Sequence, residues 1–363
     1  MRLATDLSAH REDVPVVPYL APLLPGWTPG GPTAWDRRFD AWGAVASDHL
    51  QLVDVEDADL VVIPTDWYWV RGPSWATRPD RALARRLREV HERARRAGVP
   101  VVAFFTGDRS CDGVGLRGAA VAREGGFARR MGLRDLALPA FAEDLVAEHR
   151  GGVLPERSAG DRPVVGFCGL AGRRSGAAAA ARLAAFRAVV AVRERRLDPS
   201  PYLGENLRTR ALEILDRSPL VDTNFVVRSS SVFFRDAATT DLDDVRREYV
   251  DNLESSDYVL CVRGSGNYSY RLYEALSMGR IPVVVDTDLA LPAPADVPWG
   301  DIAVWVRHQE LDRLPELVAA HHAALDDDER HDLQRRARAA WVEHLSPQGW
   351  FPHLGERLGL GAR

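Results

Sequence analysis

The sequence predicts an α/β fold made of two Rossmann-like domains that face a cleft, and three observations predict it. Short apolar runs that end in polar residues alternate with charged helical segments, as in parallel sheets covered by helices. The alternation stops in a glycine-rich, charged stretch at residues 148–162 and then restarts. The length of 363 residues suits about two domains. We therefore predict a first Rossmann-like domain at 1–155, a second at 156–345, and a C-terminal helix at 346–363 that can cross back to the first domain.

The first half contains two predicted strands with a helix between them. Its opening residues, 1–40, are rich in proline, glycine and tryptophan and are predicted to be irregular. The run "ADLVVIPTDW" (58–67) predicts a buried parallel strand followed by a polar loop. A charged helix follows over 81–97. The run "VPVVAFFTGDRS" (99–110) then predicts a second buried strand, which also ends in a polar loop.

The second half repeats this alternation, which indicates another α/β unit. Because ligands of parallel α/β sheets bind beyond the carboxyl ends of the strands, the polar residues there are the candidates for a site. The predicted strands are 163–169 ("PVVGFCG"), 221–227 ("VDTNFVV"), 257–262 ("DYVLCV") and 281–286 ("IPVVVD"). The predicted helices include the alanine-rich segment 177–195, the aspartate-led segment 241–256, and the tail from 326 onward.

The charge pattern excludes several classes of protein. The formal net charge is −5 at neutral pH and arginines alternate with acids, so no nucleic-acid partner is expected. The chain contains no lysine, and all 47 basic residues are arginine. Enzymes that need a P-loop lysine, a kinase lysine or a pyridoxal-phosphate lysine are therefore excluded. Any phosphate group must be held by arginine or by backbone N–H groups.

Cysteine usage and hydropathy predict the compartment. Cys111, Cys168 and Cys261 are far apart, odd in number and without metal-ligand spacing, so neither a disulfide framework nor a zinc site is predicted. No apolar run approaches the roughly 18 residues that a membrane span needs. We expect a cytoplasmic protein in a reducing compartment without a membrane span, and its oligomeric state stays open.

A glycine-containing loop opens a helix in the segment "CVRGSGNYSYRLYEALSMGRIPVVVD", residues 261–286. Gly264 and Gly266 let a ligand approach the backbone closely. Asn267 or Ser269 can cap the helix that follows. Free N–H groups and the helix dipole at such a terminus favour an anion.

Three charged side chains give this loop and helix a more specific interpretation. Arg263 and Arg271 are positioned to hold a diphosphate through charge-assisted hydrogen bonds. Glu274 shares a helix face with Arg271 and can accept hydrogen bonds from a ribose diol, the role of an acidic residue in dinucleotide-binding folds. The residues alone leave an alternative open, which is an ordinary strand-to-helix turn with a surface Arg–Glu pair.

The stretch "SDYVLCVRGSGNYSYRLYEALSMGRIPVVVDTDLALP", residues 256–292, resembles the signature of exostosin-type (GT47-like) glycosyltransferases. That signature is a strand, an R-G loop, an S-x-R-x-x-E-A-L helix, a G-x-I-P-V strand and a loop ending in L-P. Weaker matches extend over most of residues 58–305, where bacterial and viral members carry similar strings. A bacterial member of the family is therefore expected.

The resemblance implies a GT-B fold, in which two Rossmann-like domains face a cleft and the second binds most of the nucleotide sugar. It implies transfer of a sugar from a nucleotide sugar, usually UDP-linked, to an acceptor hydroxyl of a glycan or small molecule. It further implies inversion at the anomeric carbon, and a site that needs neither a metal ion nor another cofactor.

Carried over residue by residue, the resemblance assigns the diphosphate to Arg271 and the ribose to Glu274. Further donor-binding residues are Arg263, Gly264, Ser265, Gly266 and Asn267 in the loop beneath the phosphates, Ser269 and Tyr270 at the start of the helix, Arg228 at a strand end, and Gly169 with Arg173 after the first strand of the second domain.

The general base is predicted at the strand ends of the first domain. Inversion needs a base that deprotonates the acceptor hydroxyl on the face opposite the leaving group. Asp66, in "PTDWYW", is the first candidate and Asp108, in "TGDRS", is the second. The neighbouring Trp67, Tyr68 and Trp69 can stack on sugar faces. The alternatives are a helix cap or turn for each aspartate and a core position for the tryptophans.

Two other functions stay open. Asp286 and Asp288 form a D-x-D pattern after an apolar strand, which metal-dependent GT-A transferases use to hold a divalent ion on a diphosphate. We interpret the pattern as a loop that lines the donor sugar or as turn chemistry, and no metal site is predicted. The other alternative is a non-catalytic protein that binds a nucleotide sugar or a glycan.

Overall fold

The computed structural model contains two β-sheets with helices packed on them. All pairs between the described strands are parallel. Parallel sheets are usually covered on both faces, which explains why the strands are apolar. The residues described are 1–31, 33–73, 77–158, 160–171, 202–228 and 242–360, with 181, 184, 185 and 188 as isolated helical positions.

The first sheet has six strands in the described part of the chain. They are β1 (Arg2–Ala4), β2 (Gln51–Leu52), β3 (Leu60–Val62), β4 (Val101–Phe105), β5 (Ala120–Arg123) and β6 (Asp135–Ala137). Their order in the sheet is β2-β1-β3-β4-β5-β6. Strands β3 and β4 lie in the two predicted apolar runs, and all of their residues are buried. The prediction that the opening residues are irregular is wrong for β1, which lies inside the sheet between β2 and β3.

The second sheet has five strands in the described part of the chain. They are β7 (Val164–Leu170), β8 (Asp222–Arg228), β9 (Tyr258–Cys261), β10 (Ile281–Asp286) and β11 (Val304–Arg307). Their order is β11-β10-β9-β7-β8. The first four confirm the predicted strands, and their ends differ from the predicted ends by no more than one residue. Strand β11 was not predicted.

Most helices begin and end where polar or glycine residues favour it. Helix α4, for example, begins after Asp80, whose side chain accepts a hydrogen bond from Leu83 N–H, and ends just before Gly98 in left-handed backbone geometry. The predicted alanine-rich helix at 177–195 lies outside the described residues except for its isolated positions. The helices are α1 (Ala34–Arg37), α2 (Asp40–His49), α3 (Trp67–Arg71), α4 (Arg81–Arg96), α5 (Leu145–Arg150), α6 (Tyr202–Asp216), α7 (Leu242–Glu254), α8 (Tyr270–Ser277), α9 (Leu314–Ala323), α10 (Asp327–Ala340), α11 (Pro347–Trp350) and α12 (Leu354–Arg357).

Buried apolar side chains form one large cluster around the second sheet and two clusters on the faces of the first. Alternation along β4 separates the two first-sheet clusters, because Val102 and Phe104 point to one face and Ala103 and Phe105 to the other. None of the helices in the described ranges has the length and apolar character that crossing a bilayer requires.

The C-terminal helices pack on the first sheet, although they follow the second sheet in the chain. Trp350, Phe351 and Leu354 are each no more than 1% exposed and belong to the same cluster as Tyr19 and Trp42. The end of the described chain therefore contributes to the core of the first sheet.

Candidate functional site

The carboxyl ends of the two sheets meet at the loops that follow β4, β5 and β9. Asp108, behind β4, accepts a hydrogen bond from the Gly266 N–H at 2.9 Å. Tyr270, at the start of α8, donates its hydroxyl hydrogen to Glu124 Oε1, behind β5, at 2.9 Å. Because ligands of parallel sheets bind beyond the carboxyl ends of the strands, this junction is the candidate site.

The two glycines of the loop 263–267 lie in different surroundings. A Cβ atom at Gly266 would lie 2.3 Å from the Tyr268 ring and 3.0 Å from Asp108 Cα. A Cβ atom at Gly264 would meet no atom of the described residues within 4 Å. Gly266 therefore lets the first sheet approach the loop, and Gly264 has the open space predicted for a ligand.

The Asn267 side chain is hydrogen-bonded to other parts of the protein. Its side-chain amide donates to the Gly126 carbonyl at 3.0 Å and to the Asp288 carbonyl at 3.1 Å. Its side-chain oxygen accepts a hydrogen bond from the Thr287 hydroxyl at 2.6 Å. Asn267 therefore ties the loop to both halves of the junction, and its predicted contact with a donor stays a prediction.

Helix α8 begins without a side-chain cap. Ser269 has the extended backbone of an N-cap residue, but its hydroxyl makes no capping hydrogen bond. The Ser269 side chain therefore caps none of the N–H groups of the first turn, at the positive end of the helix dipole, although the Leu272 N–H donates to the Ser269 carbonyl at 3.2 Å. The geometry is the one that favours an anion.

Arg271 points from α8 toward the end of β7. Its Nη2 donates to the Cys168 carbonyl at 2.7 Å, and its Cζ lies 4.3 Å from the centre of the Phe167 ring. Gly169 has a φ of 152°, and a Cβ atom there would lie 2.7 Å from Arg271 Nη2. The glycine that was predicted to approach the donor thus also leaves room for this guanidinium group.

Arg263 is only 5% exposed and folds back over its own loop. Its Nη2 donates to the Ser265 carbonyl at 2.6 Å, and its Nε lies 3.4 Å from the Gly264 carbonyl. Both contacts use backbone oxygens of the predicted phosphate loop, so the side chain is held within the site.

Arg208, in α6, is a residue of the junction that sequence reasoning missed. Its Nη1 donates to the Leu170 carbonyl at 2.5 Å, and its Nη2 donates to the Arg263 carbonyl at 3.1 Å. The helical pattern alone gives no signal for this position, because the contact depends on where α6 packs.

The guanidinium groups of Arg208, Arg263 and Arg271 share two properties. Within the described ranges, none forms an ion pair with a carboxylate, and one N–H nitrogen of each is buried without an acceptor: Nε, Nη1 and Nε respectively. Burial lowers the pKa of Arg208 and that of Arg263 to about 10, so both stay charged at neutral pH. Because buried unpaired cations are costly, this cluster is suited to receive an anion.

Glu274 is buried and already has partners on α7. It accepts hydrogen bonds from the Tyr249 hydroxyl and from Arg246 Nη1, the latter at 3.2 Å. Arg246 also pairs with Glu143, which precedes α5. The carboxylate is therefore fixed at the base of α8, and its contact with a ribose stays a prediction.

The other two arginines predicted to bind the donor, Arg228 and Arg173, give less evidence about that role. Arg228 ends β8, and its guanidinium group pairs with Glu248 of α7. Arg173 lies outside the described residues. The roles predicted for both stay predictions.

Asp66 caps α3. Its Oδ1 accepts hydrogen bonds from the backbone N–H of Tyr68 at 2.7 Å and that of Thr106 at 3.1 Å, and burial raises the pKa of the carboxyl group. Asp66 therefore has the contacts of a helix cap, which was the alternative to a general base, and its role as base stays a prediction. Trp67 is 2% exposed and Trp69 packs against the same core, so the core position applies to both tryptophans.

Glu124 is an acidic candidate that sequence reasoning missed. Besides the Tyr270 hydroxyl, it accepts a hydrogen bond from the Gly107 N–H at 2.6 Å. Burial raises the pKa of Glu124 to about 7, and it also raises the pKa of Asp108. Its only signal in the sequence is an acid at the end of "AAVARE" (119–124), a run too short to predict a strand.

The D-x-D pattern has the contacts of a turn. Asp286 Oδ1 accepts a hydrogen bond from Leu289 N–H at 3.0 Å. Asp288 has a φ of 68°, and its carboxylate lies 3.2 Å from Arg129 Nε. Throughout the described part of the chain, no three His, Cys, Asp or Glu side chains are grouped so that they could hold a metal ion.

Fold and site together define a parallel α/β protein with a cluster of arginines where two sheets meet. The RXYLT1 C-terminal domain family matches residues 205–293, which run from the first turn of α6 past the end of β10. This segment contains the loop 263–267 and the whole of α8.

The curated relatives are plant glycosyltransferases. A probable glucuronosyltransferase of Oryza sativa subsp. japonica is 35% identical over 72 residues, which cover 20% of this chain and 17% of the rice protein. The probable beta-1,4-xylosyltransferases IRX10L and IRX10 of Arabidopsis thaliana are 32% and 31% identical over 72 residues, which cover 17% and 18% of those proteins. The chain thus has homologues among exostosin-type glycosyltransferases, and it matches less than a fifth of their length. A bacterial origin stays an expectation.

Proposed function

We propose that this chain is a glycosyltransferase that moves a sugar from a UDP-linked nucleotide sugar to an acceptor hydroxyl of a glycan or small molecule. One observation carries the proposal. Arg263 and Arg271 belong to the loop and the first turn of a helix without a side-chain cap, and among the described residues neither pairs with a carboxylate; both lie inside the segment similar to the RXYLT1 C-terminal domain. A diphosphate has the charge and the acceptor oxygens that this site lacks. The names of the plant relatives favour a uronic acid or a pentose as the sugar.

The proposed arrangement is of the GT-B type, with the donor on the second sheet and the acceptor on the first. The hydrogen bonds of Asp108 and Glu124 to the donor loop and to α8 support it, since they join the carboxyl ends of both sheets. In this arrangement Glu274, fixed by Tyr249 and Arg246, accepts hydrogen bonds from the ribose through its remaining lone pairs. A cytoplasmic location belongs to the same proposal.

The leaving UDP gains negative charge as its bond to the sugar breaks. Arg263, Arg271 and the N-terminus of α8 supply positive potential that is already oriented before the reaction. Preorganised charge of this kind is usually the largest contribution to catalysis. The proposed transfer therefore needs no metal ion, and a single displacement inverts the anomeric carbon.

We propose Glu124 as the general base, in place of the earlier candidates Asp66 and Asp108. A base works best when its pKa is close to the working pH, and the pKa of Glu124 is about 7. Its hydrogen bond to Tyr270 places it one side chain away from the start of α8. Asp66 instead serves as the N-cap of α3, where its Oδ1 accepts hydrogen bonds from the Tyr68 and Thr106 N–H groups.

The test is binding of UDP to the Arg271→Ala variant, measured by calorimetry. Loss of a charge-assisted contact is expected to weaken UDP roughly 10- to 100-fold. Arg247→Ala is the control, because Arg247 is exposed and pairs with Asp244 on the surface of α7. Failure of the wild type to bind UDP, UDP-glucuronate or UDP-xylose would reject the proposed function. Release of UDP in the presence of an acceptor separates transfer from mere binding.

A further inference from the structure

We infer that Arg208 forms the third side of the phosphate site, so that the site formed by Arg208, Arg263 and Arg271 is built for two phosphate groups rather than one. The inference rests on the proposed function. Arg208 lies outside the strand–loop–helix signature at 256–292. The first argument for the inference is the position of its guanidinium group. Arg208 bridges the Leu170 and Arg263 carbonyls, which follow the ends of the adjacent strands β7 and β9.

Close packing brings α6 to this place. A Cβ atom at Gly204 would lie 2.2 Å from the Gly264 carbonyl oxygen and 2.6 Å from the Arg263 carbonyl oxygen. Only a glycine there lets the first turn of α6 lie directly on the predicted phosphate loop. Helix α6 begins at Tyr202, so a second helix N-terminus lies beside the loop that leads into α8.

Charge is the second argument. After burial, the proximity of Arg271 is the next cause that lowers the pKa of Arg208, so the two cations repel each other across the end of β7. Arg263 is more than nine-tenths buried, and its Nη1 has no acceptor within the described ranges. Three guanidinium groups that form no ion pair with a carboxylate of the described residues match a diphosphate, which carries more charge than a monophosphate.

A purely structural role for Arg208 makes a different prediction. If it only joined two backbone carbonyls, its removal would lower stability and would affect all nucleotides alike. If it binds phosphate, its removal reduces affinity for UDP more than affinity for UMP.

The experiment compares UDP and UMP binding by calorimetry in the wild type, Arg208→Ala and Arg208→Gln. Glutamine keeps a polar N–H donor and most of the side-chain length but has no charge, so it serves if the alanine variant fails to fold. Arg210→Ala is the control on the same helix, because Arg210 is exposed and pairs with Asp312. We expect UDP to weaken roughly 10- to 100-fold in the Arg208 variants, with UMP and the melting temperature of the glutamine variant almost unchanged.

Two other outcomes would contradict the inference, and a third would contradict the proposed function. Wild-type UDP affinity in both Arg208 variants, or an equal loss for UDP and UMP, would overturn the inference and leave the proposed function standing. Absence of UDP binding in the wild type would instead reject the proposed function itself.

Discussion

Glu124 and Arg263 lie on opposite sides of the junction, and burial shifts both toward their neutral forms. The shift has different consequences for the two residues. With a pKa of about 10, Arg263 keeps its positive charge at neutral pH. With a pKa of about 7, Glu124 is partly protonated and can exchange a proton there. One environment thus provides a permanent cation and an exchangeable proton, which are what sugar transfer from a diphosphate needs.

The Glu124→Gln variant tests the proposed base. Glutamine has the same shape but cannot accept a proton, so turnover is expected to fall roughly 100- to 10,000-fold. UDP affinity should stay close to that of the wild type, because Glu124 lies on the first sheet. Steady-state kinetics and calorimetry measure the two effects. Wild-type turnover would shift the role of base to Asp66 or Asp108.

The same variant tests how the stability of the folded protein depends on pH. The folded-state pKa of Glu124, about 7, lies above its ordinary value of 4.5, so between these values the folded protein binds more protons than the unfolded chain. The stability contributed by the neutral carboxyl group is therefore complete below about pH 4.5 and is lost as the pH rises through 7. Glu124→Gln lacks this loss, so its stability relative to the wild type is expected to rise by about 3 kcal/mol between pH 4.5 and alkaline solution.

Urea denaturation at about pH 8 and about pH 4.5 measures this difference. The exposed Glu343, changed to Gln, is the control for a change of charge without burial. An equal difference in stability between wild type and Glu124→Gln at both pH values would contradict the raised pKa.

At the scale of elements, the loop before α8 is held by its neighbours as much as by its own sequence. Gly266 accommodates the first sheet, and Gly204 accommodates α6. The loop is therefore placed by packing from two sides, and its remaining open side is at Gly264.

The matched glycine variants of this loop separate packing from binding. Gly266→Ala brings a methyl group into the Tyr268 ring and toward Asp108, and overpacking of this kind costs about 1–3 kcal/mol. Gly264→Ala meets no atoms and should change stability by no more than about 0.5 kcal/mol, while it weakens UDP binding by filling space beside the phosphates. Thermal melting with and without UDP measures both. Equal destabilisation by the two variants would contradict the packing described.

Elements also show how far the sequence could predict this molecule. The strands of the second sheet up to β10 are predictable because each is a continuous apolar run bounded by polar or glycine residues. Strands such as β1, β2 and β5 are too short for a hydrophobic pattern, and only pairing in the sheet defines them. This explains why two site residues were not predicted from the sequence. Glu124 directly follows β5, and Arg208 reaches the site only because of where α6 packs.

At the scale of the whole molecule, the last helices of the described chain pack on the sheet that its first residues form. After the helices that pack on the second sheet, Trp350 and Phe351 enter the core of the first sheet. The first sheet therefore depends on residues from the end of the described chain, and its stability is coupled to that of the second half. This arrangement also joins the two sheets into one continuous structure.

The Phe351→Ala variant tests this dependence. The ring of Phe351 lies 4.9 Å from that of Phe141, 5.2 Å from Tyr19 and 5.3 Å from Trp42, measured between ring centres. Removal of a fully buried phenylalanine costs about 3–5 kcal/mol, a large part of the 5–15 kcal/mol typical of a folded protein. The control is Val342→Ala, because that side chain is 37% exposed. Chemical denaturation followed by tryptophan fluorescence is expected to show a large loss for the first variant and a small one for the second; similar losses would mean that the C-terminal helices do not support the first sheet.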